Sequence, residues 1–291
     1  MYYYYDVNYA DSPEKIERNE PCFSTLFGGA GNDYGPLAIA RDKTRNLQNS
    51  FYVLKLVLPK TYDVNNHRAA FRKSINSQVE LFLERHGDVI TNSRFSDVDS
   101  FVDDDDYVET LRRVQLAVNE RLSAPLMVLV DECDRAPMTG LCTREAKAGP
   151  MTPDERYLDA MEASRGFFGW LKDMVNTVPP GVTLGNRYFV TGITPISLTD
   201  SIFNGYTSLT FSPPFANLLG FTEDEVRGVL EHVARIPKDS DEFKEAFELM
   251  KRCYNGYFFA GANEATYNPQ LVLTLQKITR QHSKDRFPQL N

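Results

Sequence analysis

The residues in this chain whose types and spacing could do chemistry end the run Leu126-Met127-Val128-Leu129-Val130-Asp131-Glu132-Cys133-Asp134. Apolar residues followed at once by two acids predict a strand buried on both faces that delivers carboxylates to its C-terminal edge. In open parallel sheets that edge is where ligands bind. An aspartate there suits Mg²⁺, held through water, and a glutamate beside it suits polarising the water that attacks a terminal phosphate. The same residues also read as a core strand that happens to end in solvated acids. On this stretch alone both readings stand.

An apolar strand ending in Asp-Glu has the form of a Walker B element. Its partner is a phosphate loop, G-x-x-x-x-G-K-[ST], in which the Lys reaches the β- and γ-phosphates and the hydroxyl binds Mg²⁺. The glycine-rich stretch Gly28-Gly29-Ala30-Gly31-Asn32-Asp33-Tyr34-Gly35 does not supply it, because Gly35 is followed by Pro36 and not Lys. The preceding Phe23-Ser24-Thr25-Leu26-Phe27 is too polar for a central parallel strand, so a loop is expected. Asp103-Asp104-Asp105-Asp106 lacks the pattern of a calcium loop and stands where a helix begins, the end at which the macrodipole favours acids. Asp131 followed by Glu145-Ala146-Lys147 satisfies the bare D…ExK spacing of a metal-dependent nuclease. That chemistry needs the ExK on a strand beside the Asp, and residues 143–149, among Gly and Pro, do not read as one. Cys133 could be a nucleophile with His67, His86, His232 or His282 as base, yet none of these is placed by spacing to serve. A buried cysteine is the commoner case. Trp170 with Phe167 and Phe168 reads as core.

Composition narrows the field. A net charge of −8 leaves no overall basic field to hold nucleic acid. The four cysteines have no C-x₂-C pair and no nearby histidines, which argues against a zinc site and for reduced thiols inside the cell, in cytoplasm or nucleus. No apolar run approaches the ~20 residues that span a bilayer, so no membrane association is expected. Met1-Tyr2-Tyr3-Tyr4-Tyr5-Asp6 lacks the features of a signal peptide and reads as the buried tail of a helix.

The elements that must position Asp131 and Glu132 follow from periodicity. Phe51 to Leu58 predicts a second strand, ended by Pro59. Phe71, Ile75, Val79 and Phe82 predict a helix capped by Asn65 or Asn66 and closed by Gly87. Val108, Leu111, Val114, Val118 and Leu122 predict a helix leading into the acidic strand. Residues 135–153 read as a long loop. A long helix with Leu158, Met161, Phe168, Leu171 and Val175 as its stripe comes next, broken at Pro179-Pro180-Gly181. Residues 187–194 predict a third strand ending Thr191-Gly192-Ile193-Thr194, and residues 208–211 a short fourth. Beyond about residue 215 the pattern is helical, with a capping box at Thr222 and Glu225, a turn at Tyr254-Asn255-Gly256-Tyr257, and a helix opened by Asn268-Pro269.

Taken together and in order, these segments resemble the AAA-ATPase-like family, a divergent branch of P-loop ATPases. The resemblance rests on Leu129-Val130-Asp131-Glu132-Cys133-Asp134, with Cys133 where an aromatic is usual, on Phe167-Phe168-Gly169-Trp170-Leu171-Lys172 and on Phe189-Val190-Thr191-Gly192-Ile193-Thr194-Pro195. Leu219-Gly220-Phe221-Thr222, Tyr254-Asn255-Gly256-Tyr257 and Tyr267-Asn268-Pro269 extend it through most of the chain. It implies an α/β fold: a P-loop-NTPase-type parallel sheet flanked by helices over residues 1–215, with its first strand and P-loop missing, then an α-helical, lid-like subdomain over 216–291. It implies Asp131 as the Mg²⁺ residue, Glu132 as the catalytic residue that positions water, and Thr191 or Thr194 as sensor of the γ-phosphate, with ATP and Mg as ligand and cofactor. The family's Gly-Lys-[ST] would lie before the tyrosine run, so residues 1–291 alone are expected to bind Mg-ATP weakly or not at all. A non-catalytic interaction module derived from an ATPase, with protein partners or a homo-oligomer, is the alternative.

Overall fold

The computed structural model describes residues 1–28, 38–41, 47–59, 67–95, 97–121, 124–142, 151–177, 184–193, 207–210, 212–259, 261–262 and 264–274. The chain divides into two compact units, Met1–Gly205 and Tyr206–Asn291.

Unit 1 opens with four short helices: α1 (Tyr2–Tyr5), α2 (Pro13–Glu17), α3 (Phe23–Phe27) and α4 (Ala38–Arg41). Strand β1 (Tyr52–Val57) leads through α5 (His67–Arg85), α6 (Gly87–Thr91) and α7 (Tyr107–Arg121) to β2 (Leu126–Asp131). Helices α8 (Arg135–Cys142) and α9 (Pro153–Val175) then lead to β3 (Arg187–Val190). The three strands form a parallel sheet with β2 in the middle. Val57 stands opposite Asp131, and Val130 opposite Val190. The unit is thus α/β, a parallel sheet with helices against it, compatible with a P-loop-like fold.

Strand alternation sorts the sheet's side chains into two cores. Tyr52, Leu54, Leu56, Leu126, Val128 and Val130 face a large cluster built from α5, α7 and α9. Phe51, Val53 and Met127 face a small one, to which Tyr2, Tyr5, Leu47, Leu129 and Leu184 add partly buried side chains. The tyrosine run is therefore a single helical turn packed on the sheet's second face. It is stitched there by Asn49 N–H to Tyr4 O (2.9 Å), Phe51 N–H to Tyr5 O (3.0 Å) and Val7 N–H to Phe51 O (2.9 Å). Asp6, fully buried, accepts from Asn8 N–H and lies 3.1 Å from Nε2 of the buried His86.

Several expectations shift in register. Helix α5 stops at Arg85, and Gly87 opens α6 instead of closing α5. The acidic run does start α7: Asp106 Oδ1 accepts from Val108 N–H, while Asp103 Oδ1 accepts from the N–H groups of Asp105 and Asp106. In α9 the inward stripe is Ala160, Ala163, Ser164, Phe167, Phe168, Leu171 and Met174, whereas Leu158 is 64% exposed. Small residues take the N-terminal part of this face and large apolar ones the C-terminal part. The stretch read as a loop after residue 134 contains α8. Its Pro137 is tolerated because the N–H groups of a first helical turn have no partner within the helix.

Helix α8 is held on α9 by close backbone approach. A Cβ on Gly140 would stand 3.1 Å from the Arg156 carbonyl group. Arg156, 1% exposed, donates from Nε to Gly140 O (3.0 Å) and from Nη1 to Met151 O.

Unit 2 comprises α10 (Glu223–Gly228), a π turn at Val229–Val233, α11 (Asp241–Tyr254) and the antiparallel pair β4 (Asn255–Tyr257) and β5 (Thr266–Tyr267). Thr222 and Glu225 form the expected capping box. Val226, Leu230, Phe243, Phe247, Met250 and Tyr267 form its core. Residues 208–210 form no strand, and Tyr254-Asn255-Gly256-Tyr257 is the exit of α11 into β4. Asn268 Oδ1 accepts from Leu271 N–H and caps the turn that follows. Among the described residues no helix is long and apolar enough to cross a membrane.

The α8–α9 contact should be sensitive to either partner. Gly140→Val, which forces the helix backbones apart, is expected to cost about 1–3 kcal/mol. Arg156→Leu, which removes the donor to two carbonyls, should cost about 1–3 kcal/mol for each carbonyl left unpaired. Urea unfolding followed by tryptophan fluorescence of Trp170 reads both; an unchanged midpoint in both variants would show that this contact does not hold α8 in place.

Candidate functional site

Strand β2 carries its apolar residues through the centre of the sheet and releases Asp131 at the exposed C-terminal edge. Asp131 Oδ1 accepts two hydrogen bonds, from Glu132 N–H (2.9 Å) and from the Thr191 hydroxyl (2.7 Å). Oδ2 accepts none from the described residues. Thr191 follows β3 directly and continues its ladder, with its N–H on Val130 O (2.8 Å) and its C=O receiving Cys133 N–H (3.0 Å). The structure places Thr191 against Asp131, with Glu132 next along the chain. Thr194 lies outside the described residues, as do residues 29–37, Glu145, Lys147, Asn65, Asn66 and Leu122.

Glu132 adopts a left-handed backbone, φ +58°. For a residue with a Cβ this conformation costs about 1–2 kcal/mol, and it turns the chain sharply from β2 into α8. The turn is tight on its far side as well. A Cβ on Gly192 would stand 2.6 Å from Cys133 Sγ and 2.7 Å from Asp134 Oδ1, so a larger residue there would have to displace these side chains. Asp134, 2% exposed, accepts from Ile193 N–H at 3.2 Å.

An open cleft of about 420 Å³ adjoins this turn. Glu132, Asp134 and Ile193 line it, together with Arg135, Met138, Thr139 and Cys142 from one face of α8. Those four positions recur at helical spacing, a signal the sequence carried. Pro137 and Gly140 disguised it by suggesting a loop. Asp134, buried and bonded to the β3 exit, was missed because an acid beside two others reads as solvated.

Among the described residues this edge carries the carboxylates of Asp131, Glu132 and Asp134 and the guanidinium of Arg135. Hard oxygen donors at a sheet edge suit a hard divalent cation, and Mg²⁺ typically takes only one or two carboxylates, completing its shell with waters and phosphate oxygens. Asp131, exposed and with Oδ2 uncommitted, fits that pattern.

Cys133 is 2% exposed and belongs to the main hydrophobic cluster, so it does not face the cleft as a nucleophile. His67 and His86 are buried elsewhere, against Asp159 and Asp6. Phe167, Phe168 and Trp170 are each at most 3% exposed and form part of the core, with Trp170 Nε1 donating to Gln115 Oε1 (2.9 Å).

A family model described as a predicted AAA-ATPase, AAA-ATPase-like, matches residues 22–203, a span that takes in all three strands of the parallel sheet and the cleft. No curated protein and no solved structure matches the chain.

The left-handed turn separates two variants that remove the same carboxylate. Glu132→Gly should be more stable than Glu132→Ala by about 1 kcal/mol, because glycine meets no steric penalty at positive φ. Equal stabilities in chemical denaturation would show that residue 132 does not hold this conformation in solution.

Proposed function

The chain belongs to the AAA-ATPase-like family of predicted AAA-ATPases, and from that premise we propose that the β2 edge is the acidic half of an ATP-hydrolysing site. The observation that carries the reading is the meeting of Asp131, Glu132 and Thr191 at the C-terminal edge of a parallel sheet. In this reading Asp131 Oδ2 takes part in holding Mg²⁺, and Glu132 orients and polarises the attacking water. Mg²⁺, when bound, would supply neutralisation of the phosphate charge. Glu132 is suited to its part because the left-handed turn sets it on the wall of the cleft while Asp131 stays on the strand. Thr194 stays in this proposal as a sensor of the γ-phosphate on the strength of the family resemblance.

Phosphate binding in such sites comes mostly from a backbone N–H cradle and a lysine. No Gly-Lys dipeptide occurs in residues 1–291. These residues by themselves are therefore proposed to bind Mg-ATP weakly, and an interaction module descended from an ATPase is the second reading.

Calorimetric titration of Mg-ATP and a phosphate-release assay test the proposal. Weak binding is expected, and any Mg²⁺-dependent hydrolysis should fall by about 10²-fold or more in Glu132→Gln, as for loss of a positioned base. Hydrolysis that survives in Glu132→Gln would overturn the role of Glu132. A low-micromolar dissociation constant would overturn the expectation of weak binding, and the absence of both binding and hydrolysis would favour the interaction module.

A further inference from the structure

The hydroxyl of Thr191 carries one proton, and two acceptors lie near it: Asp131 Oδ1 at 2.7 Å and the Val130 carbonyl at 3.2 Å. The carboxylate oxygen is the nearer acceptor. The proton therefore points into the acidic turn. The backbone that carries this hydroxyl is held in place, with Thr191 N–H and C=O tied to Val130 and Cys133 and Ile193 N–H bonded to Asp134.

Oδ1 of Asp131 receives this hydroxyl and the Glu132 N–H together. Two donors on one oxygen fix the plane of the carboxylate and leave Oδ2 as the oxygen that can meet a cation. We infer that Thr191 is a positioning residue for Asp131, setting the affinity of the edge for a divalent cation, and that it does not read the γ-phosphate. The inference deepens the proposed ATP-hydrolysing site and rests on it only through the role of Asp131 as cation ligand. Partners that orient a liganding carboxylate commonly govern metal affinity by 10–100-fold.

The test is Mn²⁺ binding to the full chain, followed by the loss of the free-ion electron paramagnetic resonance signal, with no nucleotide present. The wild type is expected to show a saturable component that Asp131→Asn removes. Thr191→Val, which keeps the shape and deletes the donor, should weaken that component by about 10-fold. Thr191→Ser, which keeps the hydroxyl, should restore it. A structural role alone would not separate serine from valine in this way, and thermal unfolding of each variant controls for folding. Should the valine variant fail to fold, Thr191→Cys, of similar size and a weaker donor, should fall between wild type and Asp131→Asn.

Wild-type affinity in Thr191→Val, or in Thr191→Cys where that variant stands in for it, would overturn the inference. So would a wild type without an Asp131-dependent component. Binding of a fluorescent ATP analogue in excess chelator is measured alongside. Analogue binding without Asp131-dependent Mn²⁺ uptake would sink this inference and leave the nucleotide reading in place. The expected Mn²⁺ series without analogue binding would do the reverse.

Discussion

The parallel register of β2 against β3 is the constraint on which the rest of unit 1 depends. With Val130 opposite Val190, the next residue along each chain is delivered to the same edge, and Thr191 meets Asp131 without any further device. A slip of one residue would send the apolar side chains of β2 to the wrong faces and separate the two polar ones. The buried cluster of Leu126, Val128 and Val130 thus fixes the chemistry of the edge as well as the stability of the sheet. Hydrophobic burial, which has no directional preference of its own, becomes directional here because strand alternation couples it to backbone pairing.

Among the described residues the two faces of the sheet are served unequally. One is covered by three mutually packed helices. The other receives one turn of tyrosines, anchored by backbone bonds to the entry of β1 and by the buried Asp6–His86 contact. His86 Nδ1 has no hydrogen-bond partner among the described residues, so this anchor is incompletely satisfied and contributes less than its burial suggests.

Much of the fold was legible in the sequence, for reasons that can be named. Strands β1 and β2 announce themselves as continuous apolar runs, and α5 by Phe71, Ile75, Val79 and Phe82 at helical spacing. The acidic pair at the end of β2 was legible for the same reason, since an abrupt change from apolar to charged marks a sheet edge. Thr191 was found through a resemblance, and the direction of its hydroxyl could not be read at all. Helix α9 was legible, with Phe168 and Leu171 in the core as expected, but its inward face extends to Ala160, Ala163 and Ser164 in place of Leu158, because alanine and serine carry little hydrophobic signal. Helix α8 was hidden by Pro137 and Gly140, two residues with loop character that here serve a first turn and a close contact. With α8 unseen, the wall of the cleft was unseen too.

The order in which this unit can fold follows from its connections. Among the described residues both strand pairs of its sheet are parallel, and each is joined through a helical crossover, not a hairpin. Loop closure must come before strand pairing, and topologies of that kind fold slowly compared with those dominated by local contacts. Helices α5, α7 and α9 can form early, from local periodicity. The contact between Thr191 and Asp131 needs β3 in place against β2, and so cannot form before those strands pair. Chains emerging from synthesis would carry the acidic edge for some time before the residue that orients it arrives.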